Sequence, residues 1–459
     1  MHYKALLLIL LAVALVCCAH PVAGQGTTVQ LPTFGVSIDA QGVLKHQQFD
    51  AQGQQLREIR RAVAKAGLPR DVAEPSKLRM ISLPRLEAAL RRRIQAGQKP
   101  DATERHLAGL TRLRYVFLYP ETHDIVIAGE AAPWFEDISG QALSLDRLRP
   151  VLGLADLCVA LRAFRPGGQG AAFVGCSIDP SPDAVTRLTV FQKTVPSSVT
   201  QAQRRQVAEK IDKGLREALG MSNMQVFGIS PTTRMAQTLL EADYRMKMIA
   251  IDLEPAPVPM TTFLGGLQTA PQGMLQRWWF QPNYECVKVS RDKMAMELCG
   301  QGVQLLTENV ALGPDGKLIN PGSRPSGAAE RFAKTFTSKY PDIAARSPVF
   351  GQLRNEIDLL VAAAFMAQEG FYDKAGWELG VLGDEKSLPT ETQPAPKQAP
   401  CAVNVVWKGS RLLAPAGGVS IRPGEALEPA RLLKDKDGKL AVERQNVNPP
   451  ALAERWWWD

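Results

Sequence analysis

The chain has 459 residues, 45% of them hydrophobic, which is enough for two or three domains and too long for one ordinary core. Its formal charge of +8 comes from 54 basic and 46 acidic residues that are interspersed, so a polyanion-binding surface is not expected. Seven cysteines in this length exclude a scaffold built on disulfides. At the amino terminus, Lys4 precedes an apolar run from Ala5 to Ala19, which His20 and Pro21 interrupt. Val22 and Gly24 then take the small-residue positions before a cut at Gln25, so residues 1–24 are predicted to be a secretory signal peptide. The apolar run is shorter than the roughly 20 residues of a bilayer span. Cys17 and Cys18 follow Val16 and Cys17, where a lipid-attachment site requires a small residue. The expected location is periplasmic, cell-envelope associated or extracellular, with no membrane-spanning segment after cleavage.

Residues 25–150 read as a mixed helix and strand region. Phe34 to Leu44 is a strand, turn and strand, and residues 51–66 carry the stripe Leu56, Ile59, Val63 and Ala66 of an amphipathic helix. Ser82 and Pro84 open a second helix that ends near Arg91, Arg92 and Arg93, three cations suited to a helix C-terminus. Leu113 to Tyr119 and Asp124 to Ala128 form a predicted hairpin, followed by a short helix at Leu145 to Leu148. Residues 151–310 form the central domain. A helix spans Leu152 to Phe164, and strands are predicted at Ala171 to Ile178, Leu188 to Phe191 and Met224 to Ile229. Between the last two, a helix carries Val207, Ile211, Leu215 and Leu219 and stops at Gly220. Ser230 and Pro231 begin another helix, which runs through Ala250. Residues 311–385 extend the core with a helix over Ile357 to Met366. A Pro-rich linker at 386–400 leads to a small β-rich module at 401–459, with a hairpin around Asp437 and Gly438 and a Trp-rich tail. The predicted fold class is therefore α/β or α+β, in a mixed multi-domain protein.

Five cysteines remain after residue 24. Asp292 and Lys293 lie midway between Cys286 and Cys299, so a two-residue turn there places Lys288 opposite Glu297 and Cys286 opposite Cys299. Non-hydrogen-bonded sites are expected for the cysteines, which makes a Cys286–Cys299 disulfide the leading expectation. Cys158 and Cys176, across the Arg165 to Gly168 turn, are candidates for a second bond, and Cys401 has no evident partner.

The chemistry-bearing residues are sparse. His46, His106 and His123 lack metalloprotease spacing, and no histidine follows His123, so neither Cys176 nor Ser177 has a recognisable general base. Asp435 to Gly438 does not keep calcium-loop spacing. No metal and no cofactor are expected. Asp179 and Asp243 are the weak catalytic candidates, although Glu241–Arg245 and Asp243–Lys247 also fit ordinary ion pairs along a helix. Trp278, Trp279, Trp456, Trp457 and Trp458 are candidate binding aromatics or core residues.

Gly175 to Pro182, Pro231 to Gln237, Glu241 to Lys247 and Pro348 to Asn355 together resemble an exported planctomycete protein family carrying a domain of unknown function, DUF1598. The resemblance spans roughly residues 30–380 and implies export, with no activity, cofactor or catalytic residue to transfer. The expected function is that of an exported, non-catalytic envelope or extracellular binding or structural protein, with an envelope glycan or a protein as partner and no nucleic acid. The alternative is an envelope-polymer hydrolase using carboxylates near Asp179 and Asp243.

Overall fold

The computed structural model describes residues 35–38, 44–47 and 67–459, apart from 138, 169, 197–198, 268–274, 313–317, 320–326, 405–413 and 452–454. The segment predicted as a signal, the helix predicted at 51–66 and residues 313–317 lie outside the described residues. The fold is mixed α/β. A small hairpin pairs Gly35–Ile38 with Leu44–Gln47, and two seven-stranded sheets form the body. Their strands are β1 (Ser76–Ser82), β2 (Tyr115–Tyr119), β3 (Asp124–Ala131), β4 (Val174–Pro180), β5 (Met221–Phe227), β6 (Leu275–Pro282) and β7 (Val287–Val289). They continue as β8 (Ala295–Leu298), β9 (Val303–Leu312), β10 (Leu318–Ile319), β11 (Gln398–Pro400), β12 (Ala414–Ile421), β13 (Leu433–Lys434) and β14 (Trp457–Trp458). The main helices are α1 (Leu83–Gln95), α2 (Leu154–Ala163), α3 (Pro182–Lys193), α4 (Arg204–Leu219), α5 (Arg234–Ala250), α6 (Gly327–Ser338), α7 (Pro348–Gln368) and α8 (Lys439–Asn446).

The central sheet runs β10-β9-β6-β12-β4-β5-β11. Helix α5 packs on β4 and β12, and α6 on β9. Val174, Cys176 and Ile178 point to that face and join one core with Met235, Leu239 and Phe332. Helix α7 is buried on every side from Val349 to Met366 and packs against α2 and α5, the expected setting for the run from Leu359 to Met366, which is apolar all round.

The second sheet runs β13-β7-β8-β2-β3-β1-β14 and is covered on both faces. Ile81, Val116, Leu118 and Ile127 face the main core. Met80, Phe117 and Tyr119 face a smaller cluster completed by Leu440, Val447 and Trp458. This double burial explains why all five residues of β2 are apolar or aromatic and buried. The β-rich segment after the linker contributes strands to both sheets: β12 to the centre of one, β13 and β14 to the two edges of the other. Trp457 and Trp458 pair with Ile81 and Met80, and Arg79 lies over the Trp457 ring at 4.7 Å. Arg79, 1% exposed, donates to both carboxylate oxygens of Asp459 at 2.8 and 2.9 Å. Removing residues 455–459 therefore takes the counter-charge from a buried guanidinium and strips β1 of the two indoles that pair with it. A loss of about 3–5 kcal/mol is expected in denaturant titrations, and an unchanged midpoint would refute this account of the tail.

Several local expectations are corrected. Leu188 to Phe191 is helical within α3: the Ser181 hydroxyl accepts from the Ala184 N–H at 3.1 Å, and Leu188 packs with Ile211 and Leu215 of α4. Helix α5 starts at Arg234, capped by Thr233 in place of Ser230. Leu145 to Leu148 is a turn, with Leu148 at φ +57°. Gly438, at φ +69°, leads into α8 and no hairpin forms there, because Asp435 Oδ2 accepts from the Leu440 and Ala441 N–H groups.

The β7–β8 register is as expected, with Lys288 opposite Glu297 and their side chains 2.8 Å apart. Its turn is longer than expected: Lys293 N–H donates to Ser290 O, Lys293 takes φ +58°, and Ser290 pairs with Ala295. Cys299 N–H donates to Cys286 O at 2.7 Å, which makes this a hydrogen-bonded pair and not the closer, non-hydrogen-bonded kind. The parity expected for a disulfide is therefore reversed. Cys286 and Cys299 are free thiols, as are Cys158, Cys176 and Cys401. Burial pushes the thiols of Cys158 and Cys286 up to about 12.

Candidate functional site

One face of the central sheet is open, and its side chains are set by strand alternation. Three rows cross it. Leu306, Trp279, Gly418, Ser177 and Gln225 lie in register across β9, β6, β12, β4 and β5. On one side of that row are Gln304, Gln281, Ser420, Gly175 and Phe227, and on the other Glu308, Arg277, Ala416, Asp179 and Asn223. The middle positions are small and the flanking ones large, which produces a groove of about 580 Å³. Its floor cannot be built up: a Cβ at Gly418 would sit 2.0 Å from the Cys176 carbonyl oxygen, and one at Gly175 equally close to that of Val419.

Trp279 forms one wall, half-buried. Phe227, 37% exposed, and Phe173 form the other, with ring centroids 5.7 Å apart. Arg277 Nη2 reaches across the strand between them to Asp179, 3.3 Å from Oδ1 and 3.2 Å from Oδ2. Arg422 lies 5.9 Å from the Phe173 ring centroid and 3.7 Å from Glu425. The lining thus carries two arginines, Arg277 and Arg422, and three carboxylates, Asp179, Glu308 and Glu425, in near balance.

The predicted residues fall out differently. Asp179 lines the groove, but Asp243 sits beneath the sheet on α5, 0% exposed, and accepts from Lys247 Nζ at 2.7 Å. Lys247 also donates to the Ile178 carbonyl at 3.0 Å. Burial raises the Asp243 carboxyl to about 6, against the pull of Lys247. The two aspartates do not converge on one space. The adjacent tryptophans also split: Trp278 is fully buried, edge-on to Phe263 and Phe332, whereas Trp279 faces the groove. Trp457 and Trp458 are held in the second sheet, and Trp456 lines a separate polar crevice with Arg92 and Arg93. His106 is 7% exposed, 2.7 Å from Glu136 and edge-on to Trp134. Among the described residues, no group of three or more His, Cys, Asp or Glu could hold a metal ion. Burial pushes the Cys176 thiol well above its ordinary pKa, which leaves it un-ionised and a poor nucleophile.

Gln225, Phe227, Gln281 and Ser420 were missed at the sequence level. Alternation along β5 and β6 marks which side of each strand they occupy, but the insertion of β12 that unites them has no local signal.

A mixed α/β protein with one aromatic-walled, open sheet face is the class this geometry defines. Within it, residues 176–263 match the family described as a protein of unknown function, DUF1598, a stretch that runs from within β4 through α5 into the loop beyond. No curated protein and no solved structure matches the chain. Among the described residues, no helix is long and apolar enough to cross a membrane.

Proposed function

We propose that the protein is an exported, non-catalytic binding protein that holds an extended polyhydroxylated polymer, an envelope glycan, in the groove on the central sheet. The observation that carries this reading is the pairing of the exposed Trp279 face with the Arg277–Asp179 ion pair across a floor of Gly418 and Ser177. An indole offers an apolar plane to the C–H face of a sugar ring. A guanidinium and a carboxylate side by side supply the donor and the acceptor that a hydroxyl uses together. Near-balanced charge in the lining suits a neutral ligand. A peptide is less well served, because a sheet face has its backbone groups already paired and offers no edge for strand addition. Support for export comes from the apolar run and small-residue cut site in residues 1–24. No observation favours a hydrolase built on Asp179 and Asp243.

The test is calorimetric titration of the full chain without residues 1–24 against soluble chito- and cello-oligosaccharides, together with co-sedimentation with isolated cell-wall polysaccharide. Trp279→Ala is expected to weaken binding about tenfold or more, equivalent to ~1.4 kcal/mol, with little change in unfolding temperature. Absence of glycan binding, or equal binding by the variant, overturns the reading. Saccharide cleavage that disappears in Asp179→Asn would replace it with the hydrolase.

A further inference from the structure

Arg354, on the second turn of α7, is 9% exposed. No hydrogen bond or ion pair joins its guanidinium to any described residue, and its Nε is fully buried without a partner. Such a group is costly: a buried charge is normally met by an opposite charge or by several acceptors. The neighbouring groups do not meet it. Arg112 takes Asp358, with Nε 3.3 Å from Oδ2, and donates through Nη2 to the Gly300 carbonyl at 2.9 Å. Arg149, the next cation in its field, is held by Glu130 at 2.6 Å. Arg112 therefore occupies the carboxylate of Asp358, itself 3% exposed, and the positive charge of Arg354 is left over. Burial first and the like charge of Arg112 second lower the Arg354 pKa, as expected of a cation that lacks its counter-charge.

The local backbone runs close beside Arg354. Gly302 has φ +81°, and a Cβ there would lie 3.1 Å from Arg354 Cγ and 3.3 Å from Asp358 Oδ1. The backbone at Gly302 thus passes against the aliphatic stem of Arg354 and against the Asp358 carboxylate. The remaining surface of Arg354 gives a small ion access.

We propose that Arg354, with Arg112 beside it, is the binding site for a single oxyanion group, a carboxylate or a phosphate, gripped by the free guanidinium fork. A planar fork with several N–H donors matches two oxygens of either group, which a spherical halide cannot do. The site is separate from the sheet groove and does not depend on what that groove binds. Its anion is either a free ion or a charged group on a larger ligand.

The experiment uses the full chain at constant ionic strength, with sodium phosphate or sodium acetate replacing sodium chloride. Thermal unfolding is expected to rise by a few degrees in at least one of the two anions relative to chloride, and the comparison shows which chemistry is preferred. Arg354→Gln is expected to abolish that rise and to increase the unfolding temperature in chloride, because it removes a buried uncompensated charge. Arg354→Lys keeps the charge without the fork and should retain only part of the response. A direct readout on the unmodified protein is the Arg354 Nε–H resonance, which should shift in saturable fashion as phosphate or acetate is added. An unmoved resonance with both anions, or an equal thermal rise in Arg354→Gln, overturns the proposal.

Discussion

Asp243→Ala is expected to destabilise the protein by about 3–5 kcal/mol, while the double change Asp243→Leu with Lys247→Met costs far less. Both charged groups lie inside the core, at 0% and 2% exposure, 2.7 Å apart one helical turn along α5. Truncating the aspartate leaves an ammonium with one carbonyl contact, from Ile178, and no counter-charge. Replacing both removes two desolvation penalties together. Urea titration of the two variants separates the cases. Equal losses would mean that the helix packing, and not the uncompensated charge, governs stability here. Folding is not the only readout: since Lys247 holds the β4 carbonyl beside Asp179, the single variant should also weaken any ligand bound in the groove.

Glu356→Gln should do the opposite and stabilise the protein by about 1–3 kcal/mol at pH 8. Glu356 on α7 and Asp156 on α2 are 0% and 2% exposed, with the Gln352 amide between them, 2.8 Å from Asp156 Oδ2 and 3.4 Å from Glu356 Oε1. One oxygen of each carboxyl has no hydrogen-bond partner among the described residues. Burial first and then Asp156 push the Glu356 carboxyl well above its ordinary range; burial also raises Asp156, against the attraction of Arg234. Both folded-state values thus lie above the unfolded ones, so folding takes up protons. The stabilisation is complete below the ordinary carboxyl pKa of about 4 and is lost as pH rises through the raised folded values, at up to ~1.4 kcal/mol per unit for each group. The glutamine variant should flatten the fall in unfolding temperature between pH 5 and pH 8, without abolishing the part due to Glu241, which burial lifts to about 7. A variant as pH-sensitive as the parent would show that Glu356 is ionised in the folded protein.

The fold was legible where one element decides its own state. The stripe of α4, the stop at Gly220 and the β7–β8 register all follow from residues close in sequence. The β2–β3 hairpin does too, with His123 in the left-handed conformation at its turn. Expectations failed where a nearby cap competed: Ser181 turned Leu188 to Phe191 into helix, and Asp435 did the same beyond Gly438. The cysteine pair was placed opposite correctly, but its hydrogen-bonding parity depends on a turn two residues longer than the symmetric one. The candidate site was legible only in fragments. Asp179 and Trp279 were singled out, yet nothing near either residue shows that β12 separates their strands. Arg354 was hidden for a different reason: among the polar residues Gln352, Asn355, Glu356 and Asp358 of the same helix, an unpaired cation looks no different from a paired one until its neighbours are known.

The placement of β12 also sets an order of events. It lies between β6, which it joins in parallel, and β4, which it joins antiparallel, although more than 200 residues separate it from the latter. The groove floor therefore cannot exist until residue 421 has emerged, whatever has already condensed upstream. Contacts so distant along the chain are slow to close. A nascent chain consequently has no complete groove, and under the proposed function ligand capture would be a late report that the whole sheet has been completed.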